Sequence, residues 1–348
     1  MRSFVAALFF LFCPLVQAVV MPHMYEATLS CQTQSEEERQ TLLKQGFIQV
    51  VERINSQTEV AAHPAVVKAL EKITDYVEQY SYDNNAFTVK FNADLINRLI
   101  EKTGSTTWGK SRPRVVLWLA LEENQQRRLL GAESDPTLQV QLTKLAEQRG
   151  LPIVLPLMDL EDVSKITVAD VWGEFPTVLR QASERYGSQA ILVGRITHVL
   201  NASSEIKPWQ VHWQLLTDSD SPVWQAEGQA LEAVLDQGLS GTANYLLGHY
   251  GVKNSASAVT AELKTIFVTV QEVRSGADFS QVEAYLKSLD PISKVNVNQI
   301  TGDGVVFEIT PRQNNDHHTL QQAISLDRRL VSLVNEPGTD LAYRWVRE

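Results

Sequence analysis

The amino-acid sequence predicts a mixed α+β and α/β protein built from three domains. The chain has 348 residues, and helix-like and strand-like apolar patterns occur along most of it. The middle third alternates between buried strands and helices, which is typical of parallel crossover connections. The last third has the order strand, helix, strand, strand, helix, strand. We therefore expect domains at 19–108, 109–251 and 263–348, with a linker at 252–262.

The N-terminal domain is predicted to be small and of the α+β class. Ser35 and Glu38 have the spacing of a capping box at the start of a helix. Four apolar residues then recur at helical spacing, which indicates one buried stripe. They are Leu43, Phe47, Val50 and Ile54. The other predicted elements are a strand at 24–29, a helix from Pro64, a strand at 87–91 and a helix at 93–101.

The middle domain is predicted to be a three-layer α/β unit with a mixed sheet. Residues 115–121 are continuously apolar, which is the pattern of a strand buried on both faces. After Trp209, apolar and polar residues alternate, which predicts an antiparallel strand with one polar face. The remaining predicted elements are strands at 153–157, 190–199 and 223–231, and helices at 136–149, 176–186 and 233–250.

The C-terminal domain is predicted to be ferredoxin-like. Strands are expected at 265–273, 293–300, 304–310 and 342–346, and helices at 278–289 and 319–330. This order, βαββαβ, is that of the split βαβ module. Asp278 is the predicted N-cap of the first of these helices.

The first residues have the features of a cleavable signal peptide. Met1 and Arg2 precede an apolar run at 4–16, and Ala18 ends a small-residue pattern that suits cleavage. The apolar run is shorter than the roughly 20 residues that span a bilayer. We therefore expect export to the periplasm, cleavage after Ala18 and no membrane span in the mature chain.

Composition and charge restrict the classes of partner. Hydrophobic residues make up 44% and charged residues 21% of the chain, which is ordinary for a globular protein. The formal net charge is -10, which argues against nucleic acid as a partner because nucleic acids attract clustered Lys and Arg. Cys31 is the one cysteine left after cleavage, and we expect it to be buried as a small apolar side chain.

The strongest candidate site is the acidic cluster Asp159, Glu161 and Asp162. It follows a predicted parallel strand, and Glu122 follows the neighbouring one together with Glu123. Ligands of open α/β sheets bind beyond the carboxyl ends of the strands. Converging carboxylates bind hard cations or share a proton in acid–base catalysis. The alternative is that Asp159 or Asp162 caps the next secondary-structure element.

Arg195, which together with Gly194 is predicted to end the strand run at 191–194, is a second candidate binding residue. An arginine in this position can clamp a carboxylate or a phosphate with two hydrogen bonds. It can equally pair with one of the acidic residues named above, and this internal pairing is the favoured prediction.

No cofactor is expected from the sequence. It contains no Walker loop, no GxGxxG dinucleotide pattern and no HExxH pattern. The adjacent pair His317 and His318 lacks the spacing of a chelating pair, so no metal site is predicted there.

Several segments resemble bacterial proteins of the domain-of-unknown-function 2066 family. The residues that carry this resemblance are 149–162, 182–195, Tyr25-Glu-Ala, Trp108 with Arg112-Pro113, and 341–345. The resemblance implies an exported protein of Gram-negative bacteria, and it implies no reaction. Residues 184–194 are also similar to periplasmic adaptor domains of the Tol N-terminal and curli secretion lipoprotein type, which bind other envelope proteins.

The resulting hypothesis is a non-catalytic periplasmic protein that binds or scaffolds other envelope proteins. The alternative is a hydrolase or cation-binding protein that uses the cluster of Asp159, Glu161 and Asp162. A third possibility is a small-ligand site in the tryptophan-rich middle domain, which requires a pocket there.

Overall fold

The computed structural model describes residues 19–20, 23–55, 58–108, 111–198, 208–251, 265–289, 291–302, 304–311, 317–326, 329–333 and 340–347. The expected signal peptide at 1–18 and the expected linker at 252–262 lie outside these residues. The described residues form ten α-helices and four β-sheets. Parallel and antiparallel strand pairs are both present, so the predicted mixed fold class is confirmed.

A three-stranded antiparallel sheet and a long helix organise the N-terminal part. Its elements are β1 (Val19–Val20), β2 (Glu26–Ser30), α1 (Glu36–Asn55), α2 (Pro64–Leu70), β3 (Val77–Asp83), β4 (Ala86–Phe91) and α3 (Ala93–Lys102), with 3-10 turns at Thr58–Ala62 and Ile73–Tyr76. The strand order is β2-β4-β3. The predicted apolar stripe of α1 is buried, and Phe47 meets Tyr76 and Phe91 edge-on. The prediction lacks β3, because the residues of this edge strand are mostly polar and exposed.

The start of α1 has one of the two hydrogen bonds that define the predicted capping box. Ser35 Oγ accepts the Glu38 N–H at 3.2 Å, as the spacing predicts. The Glu38 carboxylate instead accepts the N–H groups of Gln32 and Thr33, at 2.8 and 2.6 Å. The Thr33 hydroxyl also donates to this carboxylate, and that bond lowers the pKa of Glu38. Glu38 therefore fixes the segment that leads from β2 into α1.

A six-stranded mixed sheet lies between two layers of helices in the middle part. Its elements are β5 (Ser111–Arg112), β6 (Val115–Glu123), β7 (Gln126–Leu130), α4 (Pro136–Arg149), β8 (Ile153–Val154), α5 (Leu160–Lys165), α6 (Val168–Trp172), α7 (Pro176–Ser183), β9 (Ala190–His198), β10 (Trp209–Leu216), β11 (Val223–Gly228) and α8 (Leu231–Tyr250). The strand order is β11-β10-β9-β6-β7, with β8 beside β6. β6 is parallel to β8 and β9, whereas β7, β10 and β11 pair with antiparallel neighbours. β5 pairs with β1 outside this sheet.

Each face of the six-stranded sheet has its own hydrophobic core. α4 and α8 supply one core together with Trp213, and α6 and α7 supply the other together with Trp118. Trp213 fits closely against α8, where a Cβ at Gly238 would lie 2.3 Å from its ring. Gly238 therefore has a packing role, because a larger residue would displace this tryptophan.

The middle part departs from the prediction around β8. This strand has two residues instead of the expected five, since Pro156 has no N–H to donate to a neighbouring strand. The short elements β7, α5 and α6 are absent from the prediction. The two helices have six and five residues, so each is too short to show a helical apolar period.

The C-terminal part has the predicted order with one strand added. Its elements are β12 (Ile266–Gln271), α9 (Gly276–Ser288), β13 (Ile292–Ile300), β14 (Gly304–Pro311), α10 (His317–Ser325), β15 (Leu330–Ser332) and β16 (Leu341–Trp345). The strand order is β13-β14-β12-β16-β15. Because β15 reverses the chain direction after α10, the last strand runs parallel to β12.

Asp278 is not the N-cap of α9, and this part of the prediction is wrong. The cap is Ser275, whose Oγ accepts the Asp278 N–H at 3.1 Å. The Asp278 carboxylate receives two hydrogen bonds from Arg347, at 2.7 and 3.0 Å. The bonds from Arg347 lower the pKa of Asp278. An acidic N-cap residue and an acidic residue in the first helical turn both place a carboxylate at the start of the helix. The sequence alone therefore does not distinguish a capping Asp278 from one that pairs with a distant arginine.

Arg112 joins the N-terminal and middle parts through backbone carbonyl groups. Its side chain is fully buried. Nη2 donates to the carbonyl oxygens of Arg53 and Trp108, at 3.1 and 3.0 Å. Nη1 donates to the carbonyl oxygens of Gly150 and Arg149, at 2.6 and 3.3 Å. Arg53 and Arg149 lie in the last turns of α1 and α4, where carbonyl groups carry partial negative charge, so one cation holds two helix ends together.

Gly150 makes room for this arginine. It ends α4 with a left-handed backbone, at a φ of 61°. A Cβ at this position would lie 2.1 Å from Nη1 of Arg112. Gly150 therefore ends α4 directly after the helix predicted at 136–149, and its missing side chain leaves the space that Arg112 occupies.

Candidate functional site

The predicted acidic cluster forms a short turn at the start of α5. Asp159 is the N-cap of this helix, and its Oδ1 accepts the Asp162 N–H at 3.0 Å. Met158 has a left-handed backbone with a φ of 62°, a conformation that costs a non-glycine residue roughly 1 kcal/mol. The Met158 N–H donates to Oδ2 of Asp162 at 2.9 Å. The alternative prediction, that Asp159 caps the next element, is confirmed, and this element is the helix α5.

Asp162 is a fully buried carboxylate with partners on both oxygens. Oδ1 accepts a hydrogen bond from Arg185 Nη1 at 3.0 Å. Oδ2 accepts the Tyr186 hydroxyl at 2.5 Å, and the Tyr186 oxygen in turn accepts the Leu157 N–H at 3.1 Å. Buried charges are tolerated only when they are paired and hydrogen-bonded. Asp162 therefore holds residues 157–162 in one conformation.

Arg185 completes this network from the 3-10 turn Glu184–Tyr186 that follows α7. It makes two hydrogen bonds to Asp159, at 2.7 and 3.0 Å, and its Nη2 lies 3.6 Å from Glu161 Oε2. The hydrogen bond from Arg185 lowers the pKa of Asp159 to about 2, and the same bond raises the pKa of Arg185. Burial and the bond to Asp162 raise the pKa of Tyr186. Asp159 therefore remains ionised, and Tyr186 protonated, at neutral pH.

We predict that Asp159 titrates with a midpoint of about pH 2 in the folded protein. The pKa is lowered by folding, so the contact with Arg185 contributes its full stability above the ordinary value of 3.8 and loses it as the pH falls through about 2. The carboxyl ¹³C shift of Asp159, followed by NMR during acid titration, measures this midpoint. In an Arg185→Gln variant the midpoint should move up towards 3.8. A midpoint near 3.8 in the wild-type protein would contradict the ion pair.

Glu122 and Arg195 have partners outside this cluster. Glu122 Oε2 lies 2.5 Å from Arg127 Nε, across the β6–β7 pair. Arg195 Nε lies 3.0 Å from Glu174 Oε1, and Arg195 Nη1 donates to the Trp172 carbonyl oxygen at 3.2 Å. The prediction that Arg195 pairs with one of the acidic residues considered above is therefore wrong, although its partner is indeed internal.

The early end of β8 explains why the predicted carboxylates do not converge. Val154, the last residue of β8, is paired with Val116 near the start of β6. Glu122 lies six residues further along β6, which is about 20 Å at the usual rise per residue of a strand. Beyond β8 the chain contacts the end of β7, where the Pro156 carbonyl oxygen accepts the Ala132 N–H at 2.8 Å, and Asp159 and Glu122 pair with different arginines.

The turn that carries the acids also exposes three apolar side chains. Leu157, Leu160 and Val163 have exposed fractions of 39%, 87% and 51%, and we call them the α5 patch. Leu160 and Val163 are three residues apart on α5, which places them on the same side of the helix. The exposure of these residues is not evident from the sequence, because a pattern of alternating acids and aliphatic residues does not show which set faces the solvent.

Two general properties of the described residues bear on function. In the ranges that the structure covers, no helix is both long and apolar enough to cross a membrane. Within the same ranges, His, Cys, Asp and Glu side chains form no group of three or more that is arranged to hold a metal ion. Cys31 is buried and free.

Comparisons with known proteins correct the family resemblance. Residues 18–109 match the model of a family described as a domain of unknown function (DUF8605). The predicted resemblance to the domain-of-unknown-function 2066 family is therefore wrong.

The other comparisons carry no functional information. No curated protein matches the chain. Among solved structures, the homoserine dehydrogenase of S. aureus is similar over 35% of this chain and 31% of that chain, so the match spans about a third of that enzyme. The identity is 14% and the TM-score is 0.15, which is too low to support an argument about fold or function.

Proposed function

We propose that this protein is an exported, non-catalytic binding module of the periplasm that attaches to another protein of the cell envelope through the α5 patch. Export rests on the N-terminal pattern at 1–18. The observation that carries the binding proposal is the α5 patch itself, a set of apolar side chains exposed on a turn that the ion pairs of Arg185 with Asp159 and with the buried Asp162 hold in place.

The exposure of these residues has no benefit for folding. Leu160 is 87% exposed, so it gains almost nothing from the hydrophobic effect in the folded chain. The left-handed backbone of Met158 is an additional cost, which Asp162 offsets. Strained backbone supported by a buried network is characteristic of functional turns. A turn that is rigid before binding also loses less conformational entropy when a partner covers it.

The acidic residues support a structural role more than a catalytic one. Asp159 and Asp162 are both engaged by Arg185, and Glu161 forms a surface pair with Lys165 at 2.8 Å. A general acid or base needs a pKa near the working pH, whereas the pKa of Asp159 is about 2. The alternative of a hydrolase or cation-binding protein centred on these acids therefore has no supporting observation.

We predict that Leu160→Glu weakens partner binding about thirty-fold. Burial of a leucine side chain contributes about 2 kcal/mol, which corresponds to a factor of this size in the dissociation constant. Leu160 is largely exposed, so the substitution should leave the thermal unfolding temperature almost unchanged. The measurement is a capture of crosslinked envelope proteins by the tagged mature protein, with each captured protein quantified by mass spectrometry.

Val140→Glu is the matched control. Val140 is 70% exposed on α4, so this variant introduces the same charge at a similarly exposed apolar position. A captured protein supports the proposal only if Leu160→Glu loses it and Val140→Glu retains it. Equal recovery of every protein by both variants would exclude the α5 patch as the binding surface.

A further inference from the structure

The helix-covered sheet of the middle part also has an open polar area on its α5–α7 side. Two rows of polar side chains cross strands β9, β10 and β11 there. In the first row, His212 is paired with Arg195 on one side and Gln225 on the other. In the second row, Gln210 is paired with Thr197 and Glu227 in the same way. Residues of one strand that are two apart point to the same face, so both rows lie on one surface.

None of the described helices covers this surface. On this side, α6 and α7 pack mainly against β6, β7 and β9. The helix that packs against β10 and β11 is α8, which lies on the opposite face. The two polar rows form the floor of a cleft of about 430 Å³, and Trp172 at the end of α6 forms its wall.

The charges of the cleft disfavour an anionic ligand. The Arg195 guanidinium is already paired with Glu174, whose Oε1 also lies 2.7 Å from His212 Nδ1. Glu227 adds a second carboxylate, which receives one hydrogen bond from Gln210 at 3.2 Å. Among the described residues of the cleft, two carboxylates surround one guanidinium that is already paired, so none of these residues offers a free positive charge to a phosphate or a carboxylate.

The side chains of the cleft match the chemistry of sugar hydroxyl groups. The amides of Gln210 and Gln225 and the hydroxyl of Thr197 each offer both donors and acceptors. Each hydroxyl of a sugar is likewise both a donor and an acceptor. Trp172 also lines the cleft, and the Arg127 guanidinium stacks on its ring at 4.0 Å from the centroid. The part of the indole that lines the cleft is apolar, which suits the C–H face of a pyranose ring.

We propose that this cleft binds a neutral saccharide, of the hexose or N-acetylhexosamine class. The polar rows would hydrogen-bond to its hydroxyl groups and Trp172 would pack against its ring. This site is independent of the α5 patch, because it lies on other strands and uses none of the residues of that patch.

Isothermal titration calorimetry of the full mature protein tests this proposal. The probes are glucose, galactose, N-acetylglucosamine and their β-1,4-linked disaccharides, each compared with glucuronic acid, glucose 6-phosphate and glucosamine. At least one neutral probe should bind, and the charged probes should bind at least tenfold more weakly. Gln210→Ala and Gln225→Ala should each weaken binding about tenfold, which corresponds to the loss of one hydrogen bond.

Gln141→Ala, at an exposed glutamine of α4 outside the cleft, is the control and should bind the neutral probe as the wild type does. Both cleft glutamines are exposed, so their replacement should not impair folding. The proposal is overturned if no neutral probe binds, if a charged probe binds more tightly, or if the cleft variants bind as well as Gln141→Ala. None of these outcomes bears on the α5 patch, for which we propose a protein partner.

Discussion

Replacement of Arg112 by Met is expected to lower the free energy of unfolding by about 3–5 kcal/mol. The guanidinium donates to four backbone carbonyl groups in a fully buried setting. Methionine fills much of the same volume and donates no hydrogen bond, so these buried acceptors would lose their donor. Arg112→Lys should be almost as damaging, because an ammonium group cannot form the planar fork that reaches both helix ends.

Urea unfolding monitored by circular dichroism measures this effect, and amide hydrogen exchange shows where it acts. Exchange should rise first in the last turns of α1 and α4, since Arg112 binds their carbonyl groups. The matched control is Arg128→Met, at an arginine that is 55% exposed in a pair with Asp135 and should contribute less than about 1 kcal/mol. If the two variants are equally stable, Arg112 does not join the two parts as described.

Asp162→Ala is expected to have the second largest effect, a loss of about 3 kcal/mol. The substitution would leave the Met158 N–H and the Tyr186 hydroxyl without their acceptor and would remove one of the carboxylates paired with Arg185. The turn would lose the support of its strained residue, so the α5 patch should become mobile and partner binding should fall with it.

Glu161→Ala is the control for this prediction, because Glu161 is half-exposed on the same helix and its pairs lie at the surface. It should change the free energy of unfolding by less than about 0.5 kcal/mol. Thermal unfolding and hydrogen exchange of residues 157–163 compare the two variants. If the α5 amides of the Asp162→Ala variant remain protected from hydrogen exchange, the hydrogen bonds of Asp162 are not what holds the turn in place.

The fold was predictable wherever the sequence of an element itself shows a recognisable pattern of apolar residues or of helix-end residues. The continuous apolar run of β6, the Pro136 start and Gly150 end of α4, and the alternation in β10 are local patterns, and each gives an element within a few residues of its observed bounds. The elements that were missed, such as β3, β7 and β15, are polar or short. Their pairing is determined by neighbouring strands and not by their own sequence.

The position of the candidate site was predictable from the sequence, but the residues that pair with its carboxylates were not. Asp159 and Asp162 are recognisable as a carboxylate pair after a strand, but their partner Arg185 lies 26 and 23 residues further along the chain. The same limit applies to Arg112, whose contacts with Arg53 and Gly150 span 59 and 38 residues. Tertiary contacts of this kind depend on how helices and strands are stacked, which a local sequence pattern does not encode.

The most direct test of the central proposal is site-specific photocrosslinking at the α5 patch in living cells. A photoreactive phenylalanine derivative is placed at Leu157, Leu160 or Val163, with Val140 as the control position, in the cells that make the protein. The account predicts the same crosslinked envelope protein from the three patch positions and no such product from position 140. Crosslinks of equal intensity at all four positions, or none at the patch, would contradict the proposal that the α5 patch is the binding surface.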